Sequence, residues 1–192
     1  MAFLKEKLPE VANYGDVVRA YPEIMFHLLD VEQALLRGES PFSEAQREMI
    51  VSYVSSLNSC MYCYKSHLYV ASELGIDEAT TNAAIDDLAS ADLDETFRPV
   101  LAFAKKLTET PSSMTQADTD TLHDAGWDDV AVFHATAVAG YTNLVNRIAD
   151  GVGLDTSDDP LKEIAKYLAV GGYNGFKDVI NAERQAAGLS VL

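Results

Sequence analysis

The chain has 192 residues and a formal net charge of −16, and 48% of the residues are hydrophobic against 23% charged. This balance is that of a globular protein with one substantial core, or of two intertwined halves. The strong negative charge disfavours nucleic acids and anionic membranes as partners. Since no apolar run reaches 18 residues and no apolar signal-peptide core is present at the N-terminus, we expect a cytoplasmic protein without a membrane span.

The first clear helix is predicted over residues 22–37. Pro22 suits the first position of a helix, and Gly38 suits the end of one. The expected buried stripe consists of Ile24, Leu28, Val31, Leu35 and Leu36.

Two further helices are predicted to follow as a pair. Ser43 and Gln46 have the spacing of a capping box, which predicts a helix start. An Asn-Ser pair then interrupts the pattern, and Ser59 is expected to cap the next helix, which stops at Gly75.

The remainder of the chain also shows helical periodicity with short breaks. The predicted helices are 77–88, 94–109, 115–126, 130–149, 161–170 and 176–187. The long helix 130–149 is expected to close at Gly151 and Gly153, and residues 156–160, ending in Pro160, form the strongest breaker. Because no strand pattern is present, the predicted fold class is all-α, with one domain over 1–192, a core at 20–155 and C-terminal helices at 160–190.

A weak internal similarity suggests a duplication. Residues 48–77 and 126–155 align without gaps and share three of their last seven residues. In this register Val138, Tyr141 and Val145 lie opposite Cys60, Cys63 and His67. We interpret the second segment as a degenerate copy without the chemistry, with chance similarity as the alternative.

The two cysteines of the chain are three residues apart, which favours reactivity over a structural role. A disulfide closing so short a loop stabilises a fold weakly, and in a cytosolic protein such a pair is more often catalytic or metal-binding. If one helix carries them, the spacing of Cys60, Cys63 and His67 places their side chains on the same face. At the start of that helix, the N–H groups and macrodipole are expected to favour a thiolate and to lower the thiol pKa.

The preceding helix supplies a carboxylate, Glu48. If the two helices pack as a hairpin, Glu48 can orient His67, which then acts as a base or proton relay near neutral pH. Such a set suits reduction of a peroxide. A thiolate becomes a sulfenic acid, the second thiol closes a disulfide, and the carboxylate–imidazole pair removes the thiol proton and helps to protonate the leaving alcohol.

Other interpretations of these residues stay open. The cysteines can be two small buried hydrophobes, or Cys60, Cys63, His67 and Glu48 can be four metal ligands. The isolated histidines, which are His27, His123 and His134, are interpreted as structural.

The pattern E-x11-C-x2-C-x3-H, filled by Glu48, Cys60, Cys63 and His67, resembles the core motif of alkylhydroperoxidase D, of the carboxymuconolactone decarboxylase superfamily. The stretches REMIVSYVSSLNSCMYCYKSHLYVASELG and YTNLVNRIADGVG resemble its peroxidase-related branch, and the resemblance covers most of residues 20–155. It implies an alkylhydroperoxidase D-like helical bundle.

This resemblance also implies roles and partners. Cys63 would be the peroxidatic cysteine, Cys60 the resolving cysteine that exchanges with the reductant, and Glu48 with His67 the proton relay. The implied activity is reduction of organic hydroperoxides without a metal or cofactor, with a thiol or lipoyl-type reductant, in a homo-oligomer such as a trimer or hexamer. The chain departs from alkylhydroperoxidase D where Met61 and Tyr62 replace a histidine between the cysteines, which puts the rate of turnover in doubt. A redox-sensing protein with little turnover, or a metal-binding one, is the alternative.

Overall fold

The computed structural model describes residues 1–191, so the last residue of the predicted 1–192 domain lies outside the described part. Within this range the chain forms ten α-helices and one short 3-10 turn and no β-strand, which confirms the all-α prediction. The helices are α1 (Tyr14–Ala20), α2 (Pro22–Arg37), α3 (Glu44–Leu57), α4 (Met61–Glu73), α5 (Glu78–Asp86), α6 (Arg98–Glu109), α7 (Gln116–Asp124), α8 (Asp129–Val152), α9 (Asp158–Gly171) and α10 (Asn174–Ala186). None of the helices in residues 1–191 combines the length and apolar character needed to cross a lipid bilayer.

Helix α2 begins and ends where the sequence predicts, but the predicted buried stripe is only partly right, since Leu36 is buried and Leu28 and Leu35 pack partly buried against the core. Ile24 and Val31 of the predicted stripe are 64% and 45% exposed. The buried positions are Pro22, Met25, Phe26, Leu29, Glu32 and Leu36. The face also includes a glutamate, Glu32, at a position where apolar periodicity expects an apolar residue.

The most extensive helix–helix contact joins α3 and α4, which pack as a hairpin. The predicted capping box is present, with the Gln46 N–H donating to Ser43 Oγ over 3.2 Å and the Ser43 N–H donating to Gln46 Oε1 over 2.9 Å. The prediction that Ser59 caps α4 is wrong by one residue. Ser59 has a φ of 57°, whereas an N-cap residue is extended, and Cys60 is the N-cap of α4.

Helix α8 is continuous over 24 residues. Asp128 caps it, and its left-handed end at Gly153 is as predicted, while Gly151 lies inside the helix. The segment proposed as a degenerate copy is therefore one unbroken helix, whereas residues 48–77 contain a break between two helices. In the predicted register the two segments are not structural repeats.

One helix was not predicted, and two others begin at a different residue than predicted. Helix α1 was not predicted, and Asn13 caps it through the Asp16 N–H over 3.1 Å. Helix α6 begins later than predicted, because the Asp94 carboxylate accepts the Thr96 N–H over 2.8 Å in a turn. Helix α9 includes Pro160 in its first turn, so the predicted breaker ends at residue 157.

The turn between α9 and α10 returns the C-terminal region to α2. Gly172 has a φ of 64°, and a Cβ there would lie 2.8 Å from Gln33 Oε1. The same oxygen accepts the N–H of Tyr173 over 2.7 Å. Since helix α9 also packs on α4, this turn places the Tyr173 side chain beside the α3–α4 hairpin.

Candidate active site

A buried carboxylate–imidazole pair joins α3 to α4. Glu48 is fully buried, and its Oε2 lies 2.5 Å from Nδ1 of His67. The hairpin therefore brings these two residues together as the sequence predicts. In the tautomer whose Nδ1–H donates to the carboxylate, Nε2 carries no proton and can accept one.

The other oxygen of Glu48 is held by two groups that the sequence analysis did not identify. Nη1 of Arg37 lies 2.6 Å from Oε1, and the Tyr173 hydroxyl donates to the same oxygen over 2.8 Å. Burial by itself would raise the pKa of Glu48, but His67 and Arg37 outweigh it and hold that pKa below its usual value. Glu48 is therefore a buried, paired carboxylate rather than a neutral acid.

Tyr173 completes this arrangement from the C-terminal turn. It is 2% exposed, and the Arg37 guanidinium lies over its ring at 5.1 Å from the centroid. Burial and the neighbouring Glu48 carboxylate raise the pKa of the Tyr173 phenol well above its usual value. The phenol consequently stays protonated and remains a hydrogen-bond donor to Glu48.

The two cysteines are reduced, buried and 3.5 Å apart. A hydrogen bond with Cys60 and burial raise the pKa of the Cys63 thiol well above its usual value. The expectation that the helix start lowers the pKa is therefore wrong for Cys63, because the neighbouring thiol and the loss of water outweigh the helix terminus. Deprotonation of this thiol needs a base, and His67 is one turn away on the same helix.

An asparagine of α8 fixes the break between α3 and α4. Asn58 donates to Oδ1 of Asn146 over 2.8 Å, and Nδ2 of Asn146 donates to the Ser55 hydroxyl over 3.0 Å. The Cys60 thiol lies 3.8 Å from the Asn146 carbonyl oxygen. Asn146, which is 1% exposed, thus holds the cysteine-bearing turn against α8.

A cavity of about 40 Å³ adjoins Cys63 and His67. It exceeds the roughly 10–15 Å³ that one water requires, so it can admit a hydroperoxyl group but not a bulky substrate without movement. Its walls include apolar side chains of the C-terminal region, namely Ile164, Leu168 and Phe176. Cys60 does not line this cavity, so Cys63 is the thiol that faces it.

A second buried carboxyl group, Glu32 of α2, also lines this cavity. It is 3% exposed, and its Oε2 lies 3.4 Å from the Tyr14 hydroxyl and 3.3 Å from the Tyr141 hydroxyl. Burial raises the pKa of Glu32 to about 7, since the opposing effect of His67 and of the two hydroxyls is smaller. Near neutral pH a large share of the molecules therefore carries a neutral Glu32.

Glu32→Gln should make the protein more stable relative to the wild type as the pH rises. The folded pKa of about 7 lies above the ordinary 4.5, so the stability gained from protonated Glu32 is full below pH 4.5 and is lost as the pH rises through about 7. The 2.5-unit difference corresponds to about 3 kcal/mol. Denaturant unfolding at pH 5 and pH 8 should show the gap between variant and wild type widening by up to that amount.

The matched control for this measurement is Glu23→Gln, on an exposed position of the same helix. Its unfolding free energy should follow the wild type at both pH values. If Glu32→Gln also runs parallel to the wild type, then Glu32 does not hold its proton more tightly in the folded state.

The isolated histidines lie in other surroundings, in keeping with their structural interpretation. Nε2 of His134 lies 3.0 Å from the Leu35 carbonyl oxygen, and Nε2 of His123 lies 3.0 Å from Asp129 Oδ1. His27 is exposed.

The metal-site alternative is not supported by the geometry. In residues 1–191 no group of three or more His, Cys, Asp or Glu side chains is arranged to hold a metal ion. The Glu48 carboxylate is already engaged by Arg37, Tyr173 and His67. In this arrangement the four predicted residues do not form a ligand set.

Comparison with known proteins agrees with this fold and motif. A peroxidase-related protein from Silicibacter sp. TM1040 superposes with a TM-score of 0.73 at 27% identity, over 78% of each chain. The alkylhydroperoxidase AhpD core of a peroxidase-related protein from Ralstonia eutropha JMP134 superposes with a TM-score of 0.68 at 22% identity, again over 78% of each chain. A cysteine-to-alanine variant of the debrominase Bmp8 was solved in complex with 2,3,4-tribromopyrrole. It superposes with a TM-score of 0.65 at 16% identity, over 92% of this chain and 87% of the Bmp8 chain.

No curated protein matches the sequence significantly. Residues 22–106 match the model of the carboxymuconolactone decarboxylase family. These residues include Glu48, both cysteines and His67, on which the resemblance was based. The resemblance is confirmed, since the region that carries the motif matches the model of the carboxymuconolactone decarboxylase family.

Proposed function

We propose that the protein is a thiol-dependent peroxidase that reduces organic hydroperoxides through Cys63 and Cys60. The observation that carries the proposal is the convergence at one cavity of the Cys63 thiol and an imidazole whose Nδ1 is held by Glu48 at 2.5 Å. A second thiol lies 3.5 Å from the first. The peroxidase-related protein at 27% identity supports the same class of activity.

In the first half of the proposed reaction, Nε2 of His67 accepts the Cys63 proton. The thiolate sulfur attacks the terminal oxygen of the hydroperoxide, the S–O bond forms and the O–O bond breaks. Cys63 becomes a sulfenic acid, and the second oxygen takes up a proton and leaves as an alcohol. The buried Glu48 carboxylate stabilises the imidazolium that forms on His67.

In the second half, the Cys60 sulfur displaces the oxygen from Cys63. A disulfide forms and the oxygen leaves as water, so two thiols and one hydroperoxide give one disulfide, one alcohol and one water. The short distance between the cysteines allows this closure with little movement of the backbone. A dithiol reductant, of the thiol or lipoyl type, then restores the pair.

Cys63 is assigned as the attacking thiol because it faces the cavity. Cys60 is fully buried against α8 and does not line the cavity. Tyr62, which stands where alkylhydroperoxidase D has a residue of its histidine-containing spacer, accepts the Tyr14 N–H over 2.9 Å. Its hydroxyl is therefore engaged at the N-terminus of α1, which supports a proton relay that does not include Tyr62.

We also propose a homo-oligomer, trimeric or hexameric, built on the outer face of α8. Val130, Phe133 and Leu144 are 60%, 72% and 47% exposed on this helix. Burial between copies would remove their apolar surface from water. Sedimentation of the purified protein tests this assembly, and a monomer at micromolar concentration would contradict it.

A redox switch with little turnover is the second candidate. It is favoured by one observation, the raised pKa of a Cys63 thiol that is 3% exposed. A switch would be oxidised once by peroxide and would not be recycled at a useful rate. Turnover with excess dithiothreitol or dihydrolipoamide separates the two, since a peroxidase consumes many equivalents of peroxide per chain.

The decisive experiment is thiol titration of the reduced protein before and after one equivalent of cumene hydroperoxide. We expect rapid loss of two thiols per chain and a Cys60–Cys63 disulfide in the peptide map. Loss no faster than that of free cysteine at the same pH would contradict the proposed function.

A further inference from the structure

The proposed cycle leaves a buried carboxyl group at the site unused. Glu32 lies on α2, outside the α3–α4 hairpin, and lines the 40 Å³ cavity together with Cys63 and His67. A smaller adjoining cavity of about 10 Å³ is also lined by these three residues. The carboxyl group therefore borders the space in which the peroxide must react.

Glu32 and Glu48 are two carboxyl groups in opposite surroundings. Glu48 pairs with Arg37 and is ionised, whereas in residues 1–191 no Lys or Arg forms an ion pair with Glu32. The titratable and charged groups that face Glu32 from the surrounding elements are Tyr14, Glu48, Tyr62, Cys63, His67, Tyr141 and Tyr173. When their surroundings move the pKa values of two carboxyl groups in opposite directions, one group is suited to support a base and the other to act as an acid in the same reaction.

Attack of the Cys63 sulfur on the peroxide oxygen needs a base for the thiol and a separate acid for the departing oxygen. The attacking sulfur and the departing oxygen lie on opposite sides of the oxygen under attack. His67 receives its proton from the sulfur side and is then held as an imidazolium by Glu48. A neutral acid that borders the same cavity can give its proton to the departing oxygen instead, and Glu32 of α2 is a carboxyl group that lines it.

We propose that Glu32 is the catalytic acid that protonates the oxygen leaving the hydroperoxide, a role that rests on the thiol peroxidase activity proposed above. Tyr14 and Tyr141 hold its carboxyl group at the cavity wall. The substrate class that needs this acid is the alkyl hydroperoxides, whose alkoxide is a poor leaving group.

The protons balance over the cycle. In the first half, His67 takes the Cys63 proton, and the departing alkoxide takes the Glu32 proton and becomes the alcohol. In the second half, the Cys60 proton restores Glu32, and the oxygen displaced from the Cys63 sulfenic acid takes the His67 proton and becomes water. The disulfide forms with Glu32 and His67 back in their starting states, and the dithiol reductant supplies the electrons for the next cycle.

The test compares Glu32→Gln with the wild type on two oxidants at pH 6.5. tert-Butyl hydroperoxide loses an alkoxide and needs the acid, whereas peracetic acid loses a carboxylate and does not. We expect the rate of thiol loss in the variant to fall about 100-fold with tert-butyl hydroperoxide and to stay within about threefold of the wild type with peracetic acid. If the rate of thiol loss in the variant falls equally with both oxidants, or falls with neither, the role of Glu32 is overturned.

Two further measurements keep this test independent of the variant's folding and of the proposed function. In the wild type, the rate with tert-butyl hydroperoxide should decline on the alkaline side of neutrality, and the absence of that decline would count against Glu32. Cys63→Ser is assayed beside it. If Cys63→Ser keeps the wild-type rate, the peroxidase proposal itself fails; if it is inactive while Glu32→Gln does not discriminate between the oxidants, only the role of Glu32 fails.

Discussion

Replacing Cys63 by serine should abolish peroxide-driven thiol oxidation. A serine hydroxyl is not deprotonated by His67 to a useful degree and cannot form a sulfenic acid, so both halves of the cycle are lost. We expect the rate of hydroperoxide consumption to fall by on the order of a thousandfold or more, to the level of a solution thiol. Stopped-flow measurement of cumene hydroperoxide consumption, with circular dichroism to verify the fold, gives the result.

Cys60→Ser is the matched control, since it removes the neighbouring thiol from the same turn. This variant should still react once with peroxide at Cys63 and then stop, because no second thiol closes the disulfide. The sulfenic acid should be trapped by dimedone at Cys63 and should over-oxidise with excess peroxide. Trapping at Cys60 in the Cys63→Ser protein, with full reaction there, would show that the roles of the two cysteines are reversed.

The part of the site that could be predicted from the sequence is the part that is local in the chain. Cys60, Cys63 and His67 lie within eight residues, and Glu48 lies on the preceding helix, so helical periodicity and one hairpin suffice to bring them together. The capping box at Ser43 is equally local. For such features, the spacing of residues determines their geometry.

The part of the site that could not be predicted depends on contacts between distant parts of the chain. Tyr173 reaches Glu48 across 125 residues because a left-handed glycine turn docks on Gln33, and no local pattern indicates that contact. The raised pKa of Cys63 follows from burial and from the neighbouring thiol, neither of which spacing reveals. Glu32 did leave a signal, since it occupies a position of the buried stripe of α2 where an apolar residue is expected.

The C-terminal helices matter more to the site than the resemblance implied. The resemblance covers most of residues 20–155 and the family model matches residues 22–106, yet Leu168, Tyr173 and Phe176 line the cavity. The chemistry-bearing motif and the walls of its cavity thus come from different parts of the chain. If the proposed peroxidase activity holds, replacing side chains of this C-terminal segment is expected to alter which hydroperoxide enters and to leave the thiol chemistry in place.

Glu48→Gln should cause the second large loss of activity and should also weaken the fold. Without the carboxylate, the imidazolium formed on His67 has no buried counter-charge, and we expect a loss of about 100-fold to 10,000-fold in the rate of thiol oxidation. Arg37, whose side chain is 6% exposed, would lose its buried partner, which destabilises a protein by about 3–5 kcal/mol. Stopped-flow kinetics and denaturant unfolding measure the two effects on the same sample.

Tyr173→Phe separates the function of the carboxylate from that of the network around it. This variant removes one hydrogen bond to Glu48 but leaves the Glu48–His67 and Glu48–Arg37 pairs in place. Since a hydrogen bond to a charged group contributes about 1.5–3 kcal/mol, the fold should weaken modestly, and the rate should fall by no more than about tenfold. A loss as large as that of Glu48→Gln would mean that the Tyr173 hydroxyl takes part in proton transfer itself, whereas full activity in Glu48→Gln would remove the carboxylate from the relay altogether.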